Sequence, residues 1–177
     1  MLHTSEEFFD VVDDNDEVME QLPRSEVHRR KLQHRTVHVF LFRSDGCLLI
    51  HKRSDTKEEF PSVWTSSCSG HVSAAENYDD AAVRELFEEL GVQTGVVRLQ
   101  KFAACVDTSH EFSVLYQGHS DAEIKPDVDE IAAVQWMSVD DIRPWMMRSP
   151  NDFSPAFQLL FAWFVAERTR VKAPENR

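Results

Sequence analysis

The order of elements along the chain predicts an α/β fold: a mixed β-sheet covered by helices on its faces. Runs rich in β-branched and aromatic residues stand on both sides of one capped, apolar-striped helix. More such runs follow it, and helical segments close the chain. At 177 residues the chain has the length of one domain. No repeat, low-complexity tract or linker divides it, so residues 1–177 are read as one domain, with residues 1–33 as an N-terminal hairpin and connection.

Taken in order, Phe8 to Val12 and Glu17 to Glu20 flank Asp13-Asp14-Asn15-Asp16 and read as a hairpin. Pro23 to Leu32 is a basic, His-containing helix or connection. Thr36 to Phe42 is a strand, Ser44-Asp45-Gly46 a turn, and Cys47 to His51 the returning strand. Arg53 to Pro61 is a charged loop leading into an extended run, Val63 to Val72. Asn77 to Leu90 reads as one helix, with Asn77 as N-cap, Asp80 imitating a capping box and Gly91 at the C′ position. Its Ala82, Leu86 and Leu90 make an apolar stripe at i, i+4, i+8. Val96 to Val106 and Phe112 to Gln117 read as a strand pair joined near Ser109-His110, and Ser120 to Asp129 as a polar loop. Ile131 to Met137 is a last strand and Val139 to Met147 a short helix. Ser154-Pro155 opens the final helix with Ser at N-cap and Pro at N1. Its stripe of Phe157, Leu160, Phe161 and Phe164 is a core face, with a dimer face as the alternative. The tail from Val171 is expected to fray.

The chemistry concentrates between Gly70 and Val92, in the spacing G-x5-E-x7-R-E-U-x-E-E-x-G-U, where U is a bulky aliphatic. Glu85, Glu88 and Glu89 are neighbours at i+3 and i+4, and such like charges destabilise a helix unless something neutralises them. Three carboxylates suit a hard divalent cation, Mg²⁺ or Mn²⁺; a solvated acidic face is the alternative on Glu-x-x-Glu-Glu alone. The nine fixed positions would coincide by chance at roughly 10⁻¹⁰ to 10⁻⁹ per start site with average residue usage. The string resembles the Nudix box at every fixed position, and the chain looks like a Nudix hydrolase.

That resemblance implies an α/β/α sandwich with a mixed sheet and the box as a loop-helix-loop, acting on a diphosphate linkage. It implies Glu88 and Glu89 as metal ligands, with Glu85 as a further ligand or the residue that orients the attacking water. The backbone carbonyl of Ser69 is a ligand position, Arg84 holds a carboxylate by ion pairing, and Glu76 is structural. Outside the box, from about His34, the chain is also similar to the type I isopentenyl diphosphate isomerases, which share the fold. That similarity rests on His34, on Arg53 and Lys57 ahead of Phe60-Pro61, and on Trp64-Thr65-Ser66-Ser67 leading to Gly70-His71. Glu111, Asp129-Glu130 ahead of Gln135-Trp136, and Phe153-Ser154-Pro155 continue it.

In the isomerases a His/Glu cluster binds a divalent metal, while a cysteine and a glutamate handle protons at the double bond. His34, His71, Glu89 and Glu111 match metal-ligand positions. The cysteine position holds Ser69 instead, and Cys68 one residue earlier would point to the opposite face of a strand. Arg53 and Lys57 are candidates to clamp a diphosphate, with Glu130 beside them. Each has a plainer alternative: solvated loop charges for Arg53 and Lys57, ordinary strand-face residues for His34 and His38, a polar mouth residue for His71, a strand-entrance cap for Glu130. Trp64 and Trp136 read as core.

A formal net charge of −12 argues against a sequence-independent nucleic-acid binder. The three cysteines form no C-x-x-C pair and fit free thiols in a reducing compartment. With neither a signal-peptide pattern nor a long apolar run, the expected location is cytoplasmic, with no membrane contact. The expected partner is a small diphosphate, and a homodimer is left open. The leading expectation is a Mg²⁺-dependent diphosphatase acting on a nucleoside diphosphate or related metabolite. The alternatives are an isopentenyl diphosphate isomerase and a non-catalytic ligand-binding protein of the same fold.

Overall fold

The computed structural model describes residues 6–172. In order, the elements are β1 (Phe8–Val12), β2 (Val18–Pro23), α1 (Arg24–Arg30), β3 (His34–Phe42), β4 (Leu48–Arg53), β5 (Trp64–Thr65), β6 (Cys68–His71), α2 (Tyr78–Leu90), β7 (Val96–Phe102), β8 (Glu111–His119), β9 (Ile131–Met137), α3 (Val139–Arg148), a 3-10 turn (Pro150–Asp152) and α4 (Pro155–Lys172). β7 stops at Phe102, four residues short of the expected Val106. α4 runs two residues into the tail read from Val171, and residues 173–177 lie outside the described residues. Among the described residues no helix is long and apolar enough to cross a membrane.

β3 is the axis of a mixed sheet. One edge pairs in parallel with β8, from His34↔Glu111 to Phe42↔His119. The other edge is antiparallel to β6, from Thr36↔His71 to Val39↔Cys68. That second edge is therefore taken, and the expected β3–β4 hairpin keeps only one pair beside its turn, Phe42↔Leu48. β4 swings away to pair with β9 and β5. The extended run 63–72 splits accordingly: β5 stays with β4, and β6 crosses to β3.

Ser66 and Ser67, fully buried, make that crossing possible. Where β3 and β4 diverge, Ser67 Oγ accepts from the Leu41 N–H at 2.8 Å and donates to the Leu49 carbonyl at 2.6 Å. It thus replaces a missing rung of the ladder with a side chain. His51 Nδ1 meets the Ser67 carbonyl at 3.0 Å and His38 Nδ1 meets Ser66 Oγ at 2.9 Å, so the bend is tied to both strands.

The period-2 alternation of β3 then builds two cores. Val37, Val39 and Leu41 face α2, whose Ala82, Leu86 and Leu90 are fully buried as expected from the stripe. Phe40 and Phe42 face α4, meeting Phe157, Leu160, Phe161 and Phe164. The caps also form as read. Asn77 Oδ1 accepts from Asp80 N at 2.9 Å, Gly91 takes the left-handed conformation (φ 66°), and Ser154 Oγ accepts from Phe157 N at 3.3 Å. Asp80, however, binds the Asn77 side-chain amide rather than its backbone N–H, so the capping box is not closed. Trp64 and Trp136 pack partly buried against the two cores. The β1–β2 hairpin docks through Asp16, which accepts from Arg35 Nε (2.6 Å) and Tyr78 OH (2.9 Å) and pairs with Lys101.

Replacing Ser67 by Ala strands a buried N–H and a buried C=O, and the expected loss is about 2–4 kcal/mol. Urea unfolding measures it; an unchanged midpoint would remove Ser67 from its bridging role. His38 and His51 are both driven to about 4 by burial and stay neutral in the fold. Unfolded, each takes a proton near 6.5, so between pH 6.5 and 4 the unfolded chain binds more protons. Stability is complete above pH 6.5 and falls below it, by up to about 3 kcal/mol per histidine. His51→Gln is expected to flatten that slope in pH-dependent urea titrations.

Candidate active site

β6 lies between two groups of chemical side chains. On one side is α2. Gly70 faces Glu85 so closely that a Cβ there would overlap the Glu85 carboxylate. Glu89 is 7% exposed and receives only the Ser69 N–H at 3.3 Å, with His51 Nδ1 at 3.9 Å. Burial, with the nearby charge of Glu85, pushes the Glu89 carboxyl up to about 8. Burial also raises Glu85, against the opposing pull of Arg84. Two buried carboxylates whose protons are held tightly make a donor set short of positive charge, and a hard divalent cation suits it.

Arg84 is the local organiser. Its Nε and Nη2 each reach Glu76 at 2.8 Å, Nη1 reaches Glu85 at 2.7 Å and Glu88 at 2.9 Å, and Nη2 donates to the His71 carbonyl at 3.0 Å. Glu76 in turn accepts the Ser73 N–H at 2.9 Å. Arg84 thus pairs with three carboxylates, and Glu76 joins it to the backbone of the loop ahead of α2. Because Arg84 sits between Glu85 and Glu88, the three box glutamates are not gathered into one tight cluster.

A cleft of ≈ 200 Å³ opens over these groups, lined by Ser69, Gly70, Glu85, Glu88 and Glu89 on one wall and by Arg53, Lys57, Asp127 and Glu130 on the other. Lys57 pairs with Glu130, and Arg53 Nε donates to the Glu59 carbonyl at 3.1 Å. Arg53 and Lys57 are thus held over the carboxylates rather than solvated on a loop. Arg24 and Glu7, from the N-terminal segment, also border this cleft and were not read from the sequence.

The second group lies on the other face of β6. His28, His34, His71 and Glu111 bring four ligand atoms within 4.8 Å of one another. His71 Nε2 is 3.0 Å and His34 Nε2 3.3 Å from the same Glu111 oxygen. His34 Nδ1 faces the Leu32 carbonyl at 2.9 Å and must carry the proton there. In the neutral ring Nε2 then points a lone pair at a carboxylate. His28 Nε2 is buried without a partner, as is His34 Nε2. Burial holds His71 at about 4 and lowers His28. Burial would raise Glu111, but its contacts with His34 and His71 keep it well below the usual carboxylate range. Imidazoles and a carboxylate that converge on one another, with the Nε2 atoms of His28 and His34 unpartnered, fit a divalent metal ion, for which His28, His34, His71 and Glu111 would be the ligands. Phe9 closes the cluster by stacking on His34 and His71.

This arrangement corrects one expected ligand set. His34, His71 and Glu111 do come together, but their fourth companion is His28, and Glu89 belongs to the carboxylate cleft. Nothing local marks His28: it is one histidine on a seven-residue helix.

The NUDIX domain model matches residues 32–157. The chain belongs to the NUDIX family. An isopentenyl-diphosphate Delta-isomerase of Pectobacterium atrosepticum is 30% identical over 174 residues, covering 94% of this chain and 96% of that protein. An uncharacterized Nudix hydrolase of Streptomyces coelicolor is 35% identical over 136 residues, 75% of each chain. The crystal structure of DR0079 from Deinococcus radiodurans superposes with a TM-score of 0.72 at 30% identity, over 80% of this chain and 90% of that one. This NUDIX protein therefore has relatives named as hydrolases and as isomerases, and its fold is the α/β/α class expected.

Gly70 has an ordinary backbone conformation, and the atoms an alanine Cβ would meet first are those of the Glu85 carboxylate. Gly70→Ala is expected to push Glu85 aside and weaken Mn²⁺ binding by about 10–100-fold, with the melting temperature changed far less. Calorimetric Mn²⁺ titration alongside thermal melts measures both; unchanged Mn²⁺ affinity would separate Glu85 from the cation.

Proposed function

We propose that this NUDIX protein is a Mg²⁺- or Mn²⁺-dependent hydrolase of a small diphosphate ester. The observation that carries this reading is the cleft in which the half-buried carboxylate of Glu85 and the buried one of Glu89 share a lining with Arg53 and Lys57. Acids alone would repel a diphosphate, and bases alone would have no use for a cation.

In this reading Glu85, Glu89 and the Ser69 carbonyl would hold the cation, and Glu88, now paired with Arg84, would join them on leaving that pair. Bound there, the cation would neutralise phosphate charge and acidify water. Arg53 and Lys57 take the diphosphate oxygens, and Glu130 keeps Lys57 in place. Arg84 fixes the directions of Glu85 and Glu88. Glu85, pressed against Gly70, orients the attacking water. Water adds to one phosphorus, the P–O bond of the linkage breaks, and the water proton passes to a cleft carboxylate. A monophosphate ester and phosphate leave.

The isomerase reading has its own support in the His28–His34–His71–Glu111 cluster and in the similarity to the Pectobacterium enzyme across nearly the whole chain. What counts against it is the acid–base equipment. Ser69 holds the place where the isomerases have a cysteine. Cys68 is fully buried in the α2 core, its thiol raised well above normal by burial and by Glu89. A non-catalytic binding role leaves the complete glutamate set without a purpose.

Glu88→Gln and Glu89→Gln are each expected to lower kcat/KM at least roughly 100-fold while circular dichroism stays unchanged. Mg²⁺-dependent phosphate release over a panel of diphosphates reads this. Normal turnover by both variants at low metal would sink the proposal. Deuterium incorporation into isopentenyl diphosphate, with no hydrolysis, would establish the isomerase instead.

A further inference from the structure

Away from the cleft, two surface features expose apolar side chains beside charges of opposite sign. The first is a groove of ≈ 850 Å³ between α3 and α4. Met146 and Met147 line its α3 side, and Ala162, Val165 and Ala166 its α4 side. Met147 is 76% exposed and both alanines are exposed, while the Phe157–Leu160–Phe161–Phe164 stripe of the same α4 is sealed into the core. The charges in the groove are Arg143 and Arg170, both exposed. Arg170 pairs with Glu167 at 2.8 Å, and Arg143 has no ion pair among the described residues.

The second feature is the tip of the β1–β2 hairpin. The ladder pairs Val11 with Glu20 and Val12 with Val18, which leaves Met19 without a partner. Such a bulge bends its strand and turns a side chain to a new direction; Met19 is 70% and Val18 49% exposed. Glu17 and Glu20 stand on either side of them in the chain, both exposed. Glu17 bonds only through its backbone, to Asp13, and neither carboxylate has a partner among the described residues.

The two features complement each other in polarity and charge: two apolar side chains between two acids, and an apolar groove with two arginines. They also agree in size. Four extended residues span about 13 Å, and the α4 side of the groove, from Gln158 to Arg170, rises about 18 Å. The hairpin cannot serve the groove of its own chain. Its tip is fixed through Asp16 to Arg35, Tyr78 and Lys101. By strand alternation Arg35 lies on the α2 side of β3 with Val37 and Val39, whereas α4 covers the other side. Two copies with a formal net charge of −12 repel over most of their surface, and a groove bearing arginines is a place where an acidic segment of a like copy can settle.

We infer that the α3–α4 groove receives the hairpin tip of a second copy of this chain, with Val18 and Met19 entering between the helices and Glu17 and Glu20 meeting Arg143 and Arg170. The contact joins different patches of the two copies, so each copy gives a tip to one neighbour and takes a tip from another. It is independent of the reaction that the cleft performs.

Sedimentation velocity of the full-length protein tests this, at concentrations up to about 200 µM, where small transient interfaces associate. The average mass is expected to rise with concentration. Met19→Asp spoils the tip and Met147→Asp the groove, both at exposed positions where circular dichroism should stay unchanged. Each variant alone is expected to associate at least about 10-fold more weakly, and Arg143→Glu likewise. Mixed in equal amounts, the two methionine variants still hold one intact groove and one intact tip. The mixture should therefore form a dimer at close to the native affinity and nothing larger. A native protein that stays monomeric throughout overturns the inference. So does native association by any one of the three variants, or a mixture that associates no better than its components.

Discussion

Everything functional in this chain depends on β3 and β4 parting company after one shared pair. A sheet cannot simply open, because the backbone groups along the gap would be left buried and unpaired. The Ser67 hydroxyl resolves that by accepting from Leu41 and donating to Leu49, and the bend it sits in is held by His38 and His51. With the gap stabilised, β6 can lie against β3 and present its residues to α2 on one face and to the histidine cluster on the other. A conventional hairpin at this point would fill the space that the site occupies.

β6 is consequently a partition one residue thick. Strand alternation sends Cys68 and Gly70 towards α2, and Ser69 and His71 towards the other side. Gly70 lets the Glu85 carboxylate approach the backbone, while His71, the next residue, meets Glu111 on the opposite face. Arg84 spans the wall, bonding the box glutamates and the His71 carbonyl together. Cation sites on the two faces would share a rigid element, and a shift of β6 by one residue would exchange the equipment of both.

What could be read from the sequence follows from how locally each feature is determined. The box helix was legible because Asn77, Gly91 and the Ala82–Leu86–Leu90 stripe all act within four residues of themselves. The same holds for the Ser154-Pro155 start of α4. The hairpin expected beyond Phe42 does not continue because strand pairing is a competition between distant segments, and β6 wins the edge of β3 that the turn alone would assign to β4. His28 carries no local signal, since its role arises only when α1, β3, β6 and β8 converge. In the sequence Ser67 is one residue of a Trp-Thr-Ser-Ser run, because a serine that replaces a ladder rung looks like any other serine until the strands separate. The carboxylates, Arg53 and Lys57 are legible as types, but their grouping into a cleft that His71 borders and that His34 and Glu111 do not line depends on which face of β6 each one meets.

The same parity bears on which chemistry the site can perform. Moving a proton on or off an alkene carbon requires an acid and a base on the substrate side of the wall. Cys68, the thiol next to the facing position, is on the wrong side, sealed into the α2 core among Leu86, Val39 and Val114, and held protonated by burial and by the glutamates behind it. No rotamer change brings it across, because the side of the strand is set by the backbone. Serine at the facing position is neither acidic enough to protonate an alkene nor basic enough to take a proton from carbon near neutral pH. Carboxylates stand on both sides of the wall, Glu85 and Glu89 in the cleft and Glu59 and Glu111 in a cavity beside Thr36, His38 and Ser69, so what the facing side lacks is the thiol and not a carboxylate. Phosphoryl transfer to water asks for neutralised charge and an oriented nucleophile, and under the proposed function a cation held by the cleft carboxylates, with Arg53 and Lys57, would supply both.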